Sequence, residues 1–420
     1  LIMWILKGLA VLAALIVLGV GVLLGLLRDE HRAETRLPTP TGPYAVGRSI
    51  YTWTDAAHTD KLAPMPGTPR ELVAWIWYPA PKYPMPNASP GVTADYLPAA
   101  WRAAVEQARG ALISKFITRD LSRVRVHSMQ DPDLSPEQQT YPVVIMRAGL
   151  AALTAEYTVL AEDLASHGYI VVGFDAPFRT AVMVFSDGRV VSRTAENNPE
   201  LVSGPVQEKM IEKLLAAWSS DMGFALDQLE RLNAAASGRF AGRLDLQHVG
   251  VFGHSLGGAT AAQFCHEDSR CKAGIDVDGA PYGSVIREGL HQPFMFLVGE
   301  HGAASDPDTR RIDADIQSIY DRLPPEGRWW VTIRGANHFG FSDGVLVKSQ
   351  RVQRLLHLLG IIGIDGRQQL SATAYYVHSF FDMYLKDAPA SVLQNPPARY
   401  PVRVVTAANS SGSPEQLLPR

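Results

Sequence analysis

The chain has 420 residues, 46% of them hydrophobic and 19% charged, with 39 Lys and Arg against 42 Asp and Glu for a net charge of −3. That length admits one large domain or two ordinary ones with a sizeable core, and the near-balance of charge gives no electrostatic footing for a nucleic-acid partner. Two cysteines, Cys265 and Cys271, are too few for a thiolate metal site and lack CxxC spacing, so neither metal nor cofactor is expected.

From Gly8 to Leu27 the stretch GLAVLAALIVLGVGVLLGLL holds no charged or strongly polar residue and matches the roughly 20 residues that cross a bilayer as a helix. A cleaved secretory signal has a shorter apolar region, about 7 to 15 residues, and a small-x-small cleavage site. Residues 1–27 therefore read as an uncleaved membrane anchor, with the remainder expected outside the cytoplasm. Lys7 before the span and the mixed RDEHR after it do not orient it by charge bias. Leu1 stands first in place of Met, so the start of the chain is expected to lie upstream. Residues 28–43, RDEHRAETRLPTPTGP, are polar and proline-rich and read as a tether.

A globular unit is expected over residues 44–405. The short apolar runs at 70–81, 141–149, 168–177, 248–255, 273–281, 293–300 and 328–338 each end in a polar or glycine-bearing loop. Continuous rather than alternating apolarity predicts strands buried on both faces. Helical patterns lie between and after them, in TVLAEDLASHG, in 208–236 and in 370–388. The alternation predicts an α/β fold with a mostly parallel, doubly wound sheet flanked by helices and chemistry at the carboxyl ends of the strands. Residues 82–140 and 179–210 exceed ordinary loop lengths and read as inserts that cover the site or pack on the sheet. An amphipathic helix pair is expected in LPAAWRAAVEQARGALISKFI, and residues 406–420 read as a polar tail.

The stretch VGVFGHSLGGAT places Ser255 between Gly253 and Gly257, after a strand and before a helix. Such a reversal strains the backbone of its middle residue and lifts the hydroxyl to the end of the sheet. A serine hydroxyl attacks only with a base within hydrogen-bond reach and a carboxylate to orient that base, here in the chain order serine, acid, histidine. Five histidines follow both Ser255 and any plausible acid: His291, His301, His338, His357 and His378. His357 and His378 fall in helical patterns, His291 precedes a strand, and His301 and His338 follow strands. His338, after a small-residue loop in TIRGANHFGFSD, suits the base best. Two acids compete, Asp278 at the end of AGIDVD and Glu300 after the next strand, whereas Asp276 lies deeper, where an unpaired charge is costly. The backbone N–H of Leu256, at the start of the helix, and that of Leu150 would hold an oxyanion. Cys265 and Cys271 read as a disulfide in an oxidising compartment rather than as two unrelated thiols.

RELVAWIWYPAP, DLASHGYIVVGFDAPFRT, GRLDLQHVGVFGHSLGGAT, AGIDVDGAP and VTIRGANHFGFSD together resemble the platelet-activating-factor acetylhydrolase family of α/β-hydrolases, in its plasma type and bacterial relatives. The likeness runs from Tyr44 to Asp387. It implies an α/β-hydrolase fold, with Ser255 as nucleophile, Asp278 as acid in preference to Glu300, His338 as base, and the amides of Leu256 and Leu150 as oxyanion donors. It also implies calcium-independent cleavage of short or oxidised acyl esters of phospholipids, with bacterial relatives that include broader carboxylesterases. One departure stands out: RAGLA, with Arg147 and Ala148, replaces the HGLG common in the family, which bears on pocket shape. A small ester or lipid is thus the expected partner, alongside the membrane contacted by residues 8–27. Amide, lactone or polyester hydrolysis would use the same residues, and an idle, anchored scaffold is the reading from outside the enzymes.

Overall fold

The apolar runs become the middle of one large sheet. The structure, a computed structural model, describes residues 2–82, 91–300, 306–358, 363–394 and 397–406. The main strands are β1 (Ala45–Thr59), β2 (Pro69–Ala80), β3 (Val124–Gln130), β4 (Tyr141–Arg147), β5 (Ile170–Asp175), β6 (Leu244–His254), β7 (Cys271–Val277), β8 (Phe294–Gly299), β9 (Arg328–Ile333) and β10 (Val402–Thr406). They lie in the order β3-β1-β2-β5-β4-β6-β7-β8-β9-β10, with Thr35–Arg36 outside β3. From β5 to β9 every neighbouring pair is parallel. β2 runs antiparallel to both its neighbours, and β10 runs antiparallel to β9. This is the mixed, mostly parallel sheet of the α/β-hydrolase fold.

The main helices are α1 (Ile2–His31), α2 (Ala99–Leu112), α3 (Thr158–Ser166), α4 (Pro205–Ala234), α5 (Leu256–Glu267), α6 (Pro307–Tyr320) and α7 (Gly366–Leu385). Strand residues alternate between two cores. Trp75, Val144, Phe252 and Ile275 face α3 and α7 through Leu160 and Phe380. Ile76, Ile145, Val251 and Phe296 face α4, α5 and α6 through Met222, Phe264 and Ile316. Both faces of the parallel strands are covered, which is why they read as unbroken apolar runs.

Four of these elements, β1, β3, β10 and α6, lie outside the sequence expectations. β1 carries polar residues along its outer half and hides no continuous apolar run, β10 is a short antiparallel edge strand, and α6 is mostly polar. The insert 82–140 contributes β3 to the sheet as well as a covering element. The expected helix pair is present as two helical stretches of α2 that meet at a kink at Gly110 (φ 77°), the second passing into a π-helical turn at Ile113–Ile117, while Trp101 packs edge-on against Trp75. Residues 407–420 of the expected tail lie outside the described residues, as does His301.

α1 is the one helix among the described residues long and apolar enough to cross a membrane, over Leu6–His31, and its most apolar stretch of 18 residues has a mean hydropathy of 2.9. Residues at both ends of the segment 28–43, expected to be a tether, make contacts with the rest of the chain. Glu30 is buried and accepts hydrogen bonds from Arg119 Nη2 at 3.0 Å and from the Gln350 backbone at 2.7 Å. Thr41 donates from its N–H and Oγ to Asp163 at 2.9 and 2.7 Å. These contacts are polar and reach across 80 residues or more, so hydrophobic periodicity carries no trace of them.

Candidate active site

Strand β6 ends at His254 and helix α5 begins at Leu256, leaving Ser255 alone at the corner with φ 58° and ψ −128°. The approach is so close that a Cβ on Gly253 would strike the Gly257 backbone, and one on Gly257 would strike the carbonyls of Arg147 and Ala148. Glycine is therefore required at both positions by contact with neighbouring backbone. Leu256 opens α5, so its N–H has no carbonyl one turn back.

His338 sits just beyond β9, and its Nε2 lies 3.0 Å from Ser255 Oγ. Its Nδ1 lies 2.7 Å from Asp278 Oδ2. Asp278 follows the end of β7 in a left-handed conformation (φ 54°), and its other oxygen accepts the Gly299 N–H at 2.7 Å. The histidine side chain is 41% exposed and the aspartate 6%. The carboxylate is thus shielded while the imidazole meets solvent on the serine side.

Glu300 does not join this chain. Its Oε2 accepts the Gly335 N–H at 2.7 Å, which fastens the start of the loop that carries His338. Gln369 on α7 clamps the same loop by donating to the Asn337 carbonyl at 2.8 Å and accepting the Asn337 N–H at 3.2 Å. Gln369 escapes sequence reading because its partner is backbone in a distant loop. Asp276, as expected, lies deeper, where it accepts the Gly279 N–H at 2.8 Å.

Gly149 rests against Ser255: a Cβ at this glycine would come within 3.2 Å of the serine Cβ. Leu150 follows it in a turn closed by the Ala152 N–H on the Gly149 carbonyl at 3.1 Å. The side chains of Leu150 and Leu256 belong to one apolar cluster beside the serine, with Met210, Ile211, Trp218 and Tyr282. Arg147, the residue that departs from the family pattern, is buried, with its guanidinium 3.8 Å from the Trp218 ring. Burial pushes its pKa down to about 10, against the pull of Asp221 and Asp175. On the far side of α5, Cys265 and Cys271 are joined by a disulfide that ties the helix end to β7.

Sheet order, elbow and loop placement define an α/β-hydrolase. The chain belongs to the family described as platelet-activating factor acetylhydrolase, isoform II, whose model matches residues 30–202 and 232–386. It is 25% identical over 349 residues to the platelet-activating factor acetylhydrolase of Cavia porcellus, covering 78% of this chain and 74% of that protein. It is 24% identical over 391 residues to a protein of Arthroderma benhamiae named "Probable 1-alkyl-2-acetylglycerophosphocholine esterase", covering 87% and 92%. Among solved structures, the ferulic acid esterase from Streptomyces cinnamoneus is similar with a TM-score of 0.70 and 25% identity, covering 89% of this chain and all of that one. The chain is accordingly a hydrolase among the esterases of the α/β-hydrolase superfamily.

Proposed function

We propose that the protein is a serine carboxylesterase of broad ester range, held at a membrane by α1. The observation that supports it most is the unbroken hydrogen-bonded series Ser255–His338–Asp278 on a strained corner. In this reading His338 Nε2 takes the Ser255 proton as Oγ bonds to the ester carbonyl carbon. The oxyanion is held by the N–H groups of Leu256 and Leu150, each such donor being worth about 10²- to 10³-fold. His338 then passes its proton to the departing alkoxide, leaving an acyl-serine. Water, deprotonated by the same nitrogen, releases the acid and restores the serine. Asp278 holds the Nδ1–H tautomer throughout. The apolar cluster around Leu150, Met210, Ile211 and Tyr282 favours an apolar acyl or aryl group beside the serine.

A second reading, short-acyl phospholipid cleavage at the bilayer, is favoured by family membership together with the exposed apolar surface of α1. The disulfide favours an extracytoplasmic catalytic unit. The full chain in detergent, treated with a fluorophosphonate probe and assayed on p-nitrophenyl esters from acetate to decanoate, on methyl ferulate and on vesicles of sn-2-acetyl phospholipid, separates these readings. Labelling that vanishes in Ser255→Ala, with turnover across the simple esters, is the expected result. Turnover confined to the phospholipid would favour the second reading. Folded protein with neither labelling nor turnover would overturn both.

A further inference from the structure

Behind the proposed base lies a second histidine. His254, the last residue of β6, is buried, and its ring centroid is 4.7 Å from that of His338. Its Nε2 lies 2.9 Å from the His338 carbonyl oxygen. A carbonyl only accepts, so Nε2 carries the proton. Burial first, and then the neighbouring His338, push the His254 pKa down to about 3, which keeps the ring neutral. A neutral ring protonated at Nε2 has a bare Nδ1, and Tyr157 Oη lies 2.8 Å from it. The phenol must therefore donate to His254. Its oxygen in turn accepts the Gly149 N–H at 3.1 Å.

Every member of this series has its donor and acceptor role dictated by the next. It runs from the backbone beside Leu150, through Tyr157 and His254, to the backbone of His338. Tyr157 sits in the turn before α3, where Asp175 Oδ1 accepts the Thr154 N–H at 3.1 Å and Asp343 accepts the Thr158 N–H at 2.9 Å. The phenol is fully buried and so cannot exchange its partners for water. We infer that Tyr157 and His254 are positioning residues that set the spacing between the oxyanion loop and the catalytic histidine, acting as one relay. The inference rests on the serine-esterase reading above.

The test uses the full chain and the variants Tyr157→Phe, His254→Phe and His254→Gln, and the double variant Tyr157→Phe/His254→Phe, each assayed on p-nitrophenyl butyrate per probe-titrated active site. Each Phe variant is expected to lose about 10- to 100-fold in kcat with KM within twofold, the pattern of an interaction used in the transition state. The double variant should fall no further than the worse single one, because the pair acts as a unit. His254→Gln, whose amide can still donate to the His338 carbonyl, should recover part of the loss. Hydrogen exchange at the Gly149 amide, read without substrate, should rise at least tenfold in Tyr157→Phe. Unchanged kcat per active site in both Phe variants, or losses that multiply in the double variant, would overturn the relay, as would unchanged Gly149 exchange. A wild-type chain that turns over no ester would instead count against the esterase reading, and the exchange result would still decide whether Tyr157 holds Gly149.

Discussion

Two clusters in this molecule are built from the same three groups. In one, His338 Nδ1 meets Asp278 at 2.7 Å with His254 packed beside it; in the other, His378 Nδ1 meets Asp163 at 2.8 Å with His167 stacked on it at 4.0 Å. Their surroundings differ. His338 is exposed and has Ser255 Oγ 3.0 Å beyond its other nitrogen. His378 is buried among α3, α7 and the Thr41 segment, and Asp163 spends its remaining capacity on Thr41. A histidine–carboxylate pair is thus not in itself a catalytic feature. What lies beyond the imidazole, and whether substrate can reach it, decides between chemistry and a structural clasp.

The sharpest way to break that comparison is to remove each imidazole. His338→Ala and Ser255→Ala are expected to lower ester kcat by about 10⁴- to 10⁶-fold with little change in melting temperature. His378→Ala should keep kcat per titrated active site within about threefold. Site-titrated kinetics check both, and a large loss of kcat in His378→Ala would make the distinction untenable. Next comes the acid: Asp278→Asn should lower kcat by about 10⁴-fold, whereas Glu300→Gln, at a side chain that accepts the Gly335 N–H, should stay within about threefold.

The buried clasp should show itself in stability instead. Burial works to raise the Asp163 carboxyl, but hydrogen bonds from His378 and Thr41 and the nearby His378 charge carry it below the usual carboxylate range. His378→Phe strips away the largest of these supports. Leaving a buried acceptor without its hydrogen-bond partner costs about 1 to 3 kcal/mol, which denaturant unfolding would register as a shifted midpoint at unchanged activity per site.

Acid titration probes the second histidine of each cluster. Burial takes His254 down to about 3 and His167 down to about 4, from 6.5. Between those values and 6.5 the unfolded chain binds more protons than the folded one, so stability rises with pH and is lost as pH falls from 6.5. Each histidine contributes a slope of about 1.4 kcal/mol per pH unit near pH 5. Between pH 7 and 5, His254→Phe should therefore lose a slope of about this size that the wild-type chain carries, a slope opposed in both chains by the buried Asp175 carboxyl, which burial raises to about 6.

Ser255, Asp278 and His338 were each legible because each stands just after a buried strand, in a short motif whose spacing reflects the end of the sheet. Their alternative, Glu300, has the same placement, and what separates the two is that Asp278 meets His338 Nδ1 while Glu300 accepts the Gly335 N–H. β4 to β9 were legible because burial on both faces leaves continuous apolar runs. β1 and β10 were not, since an edge or hairpin strand needs apolar residues on one side only. Gln369, Tyr157 and the Glu30 contacts escaped for a further reason. They hold backbone in segments distant along the chain, and no local pattern encodes such a partner.

The smallest expected effect concerns the disulfide on the far side of α5. Cys265 and Cys271 are six positions apart, with Cα atoms 5.1 Å apart, and they close the turn between α5 and β7. In the chain-entropy account so short a loop constrains the unfolded state by about 2 kcal/mol. Both sulfurs are buried against the face of the sheet that carries α4 and α6, away from His338. Cys265→Ser/Cys271→Ser should therefore lower unfolding stability by about that amount while leaving kcat and KM within twofold. The reducing agent dithiothreitol should reproduce the effect on the wild-type chain and leave the double variant unchanged. A fall in kcat on reduction would mean that the tie at the far end of α5 also sets the position of Ser255 at its start, and the separation of chemistry from scaffold drawn from the two histidine pairs would then fail for this helix.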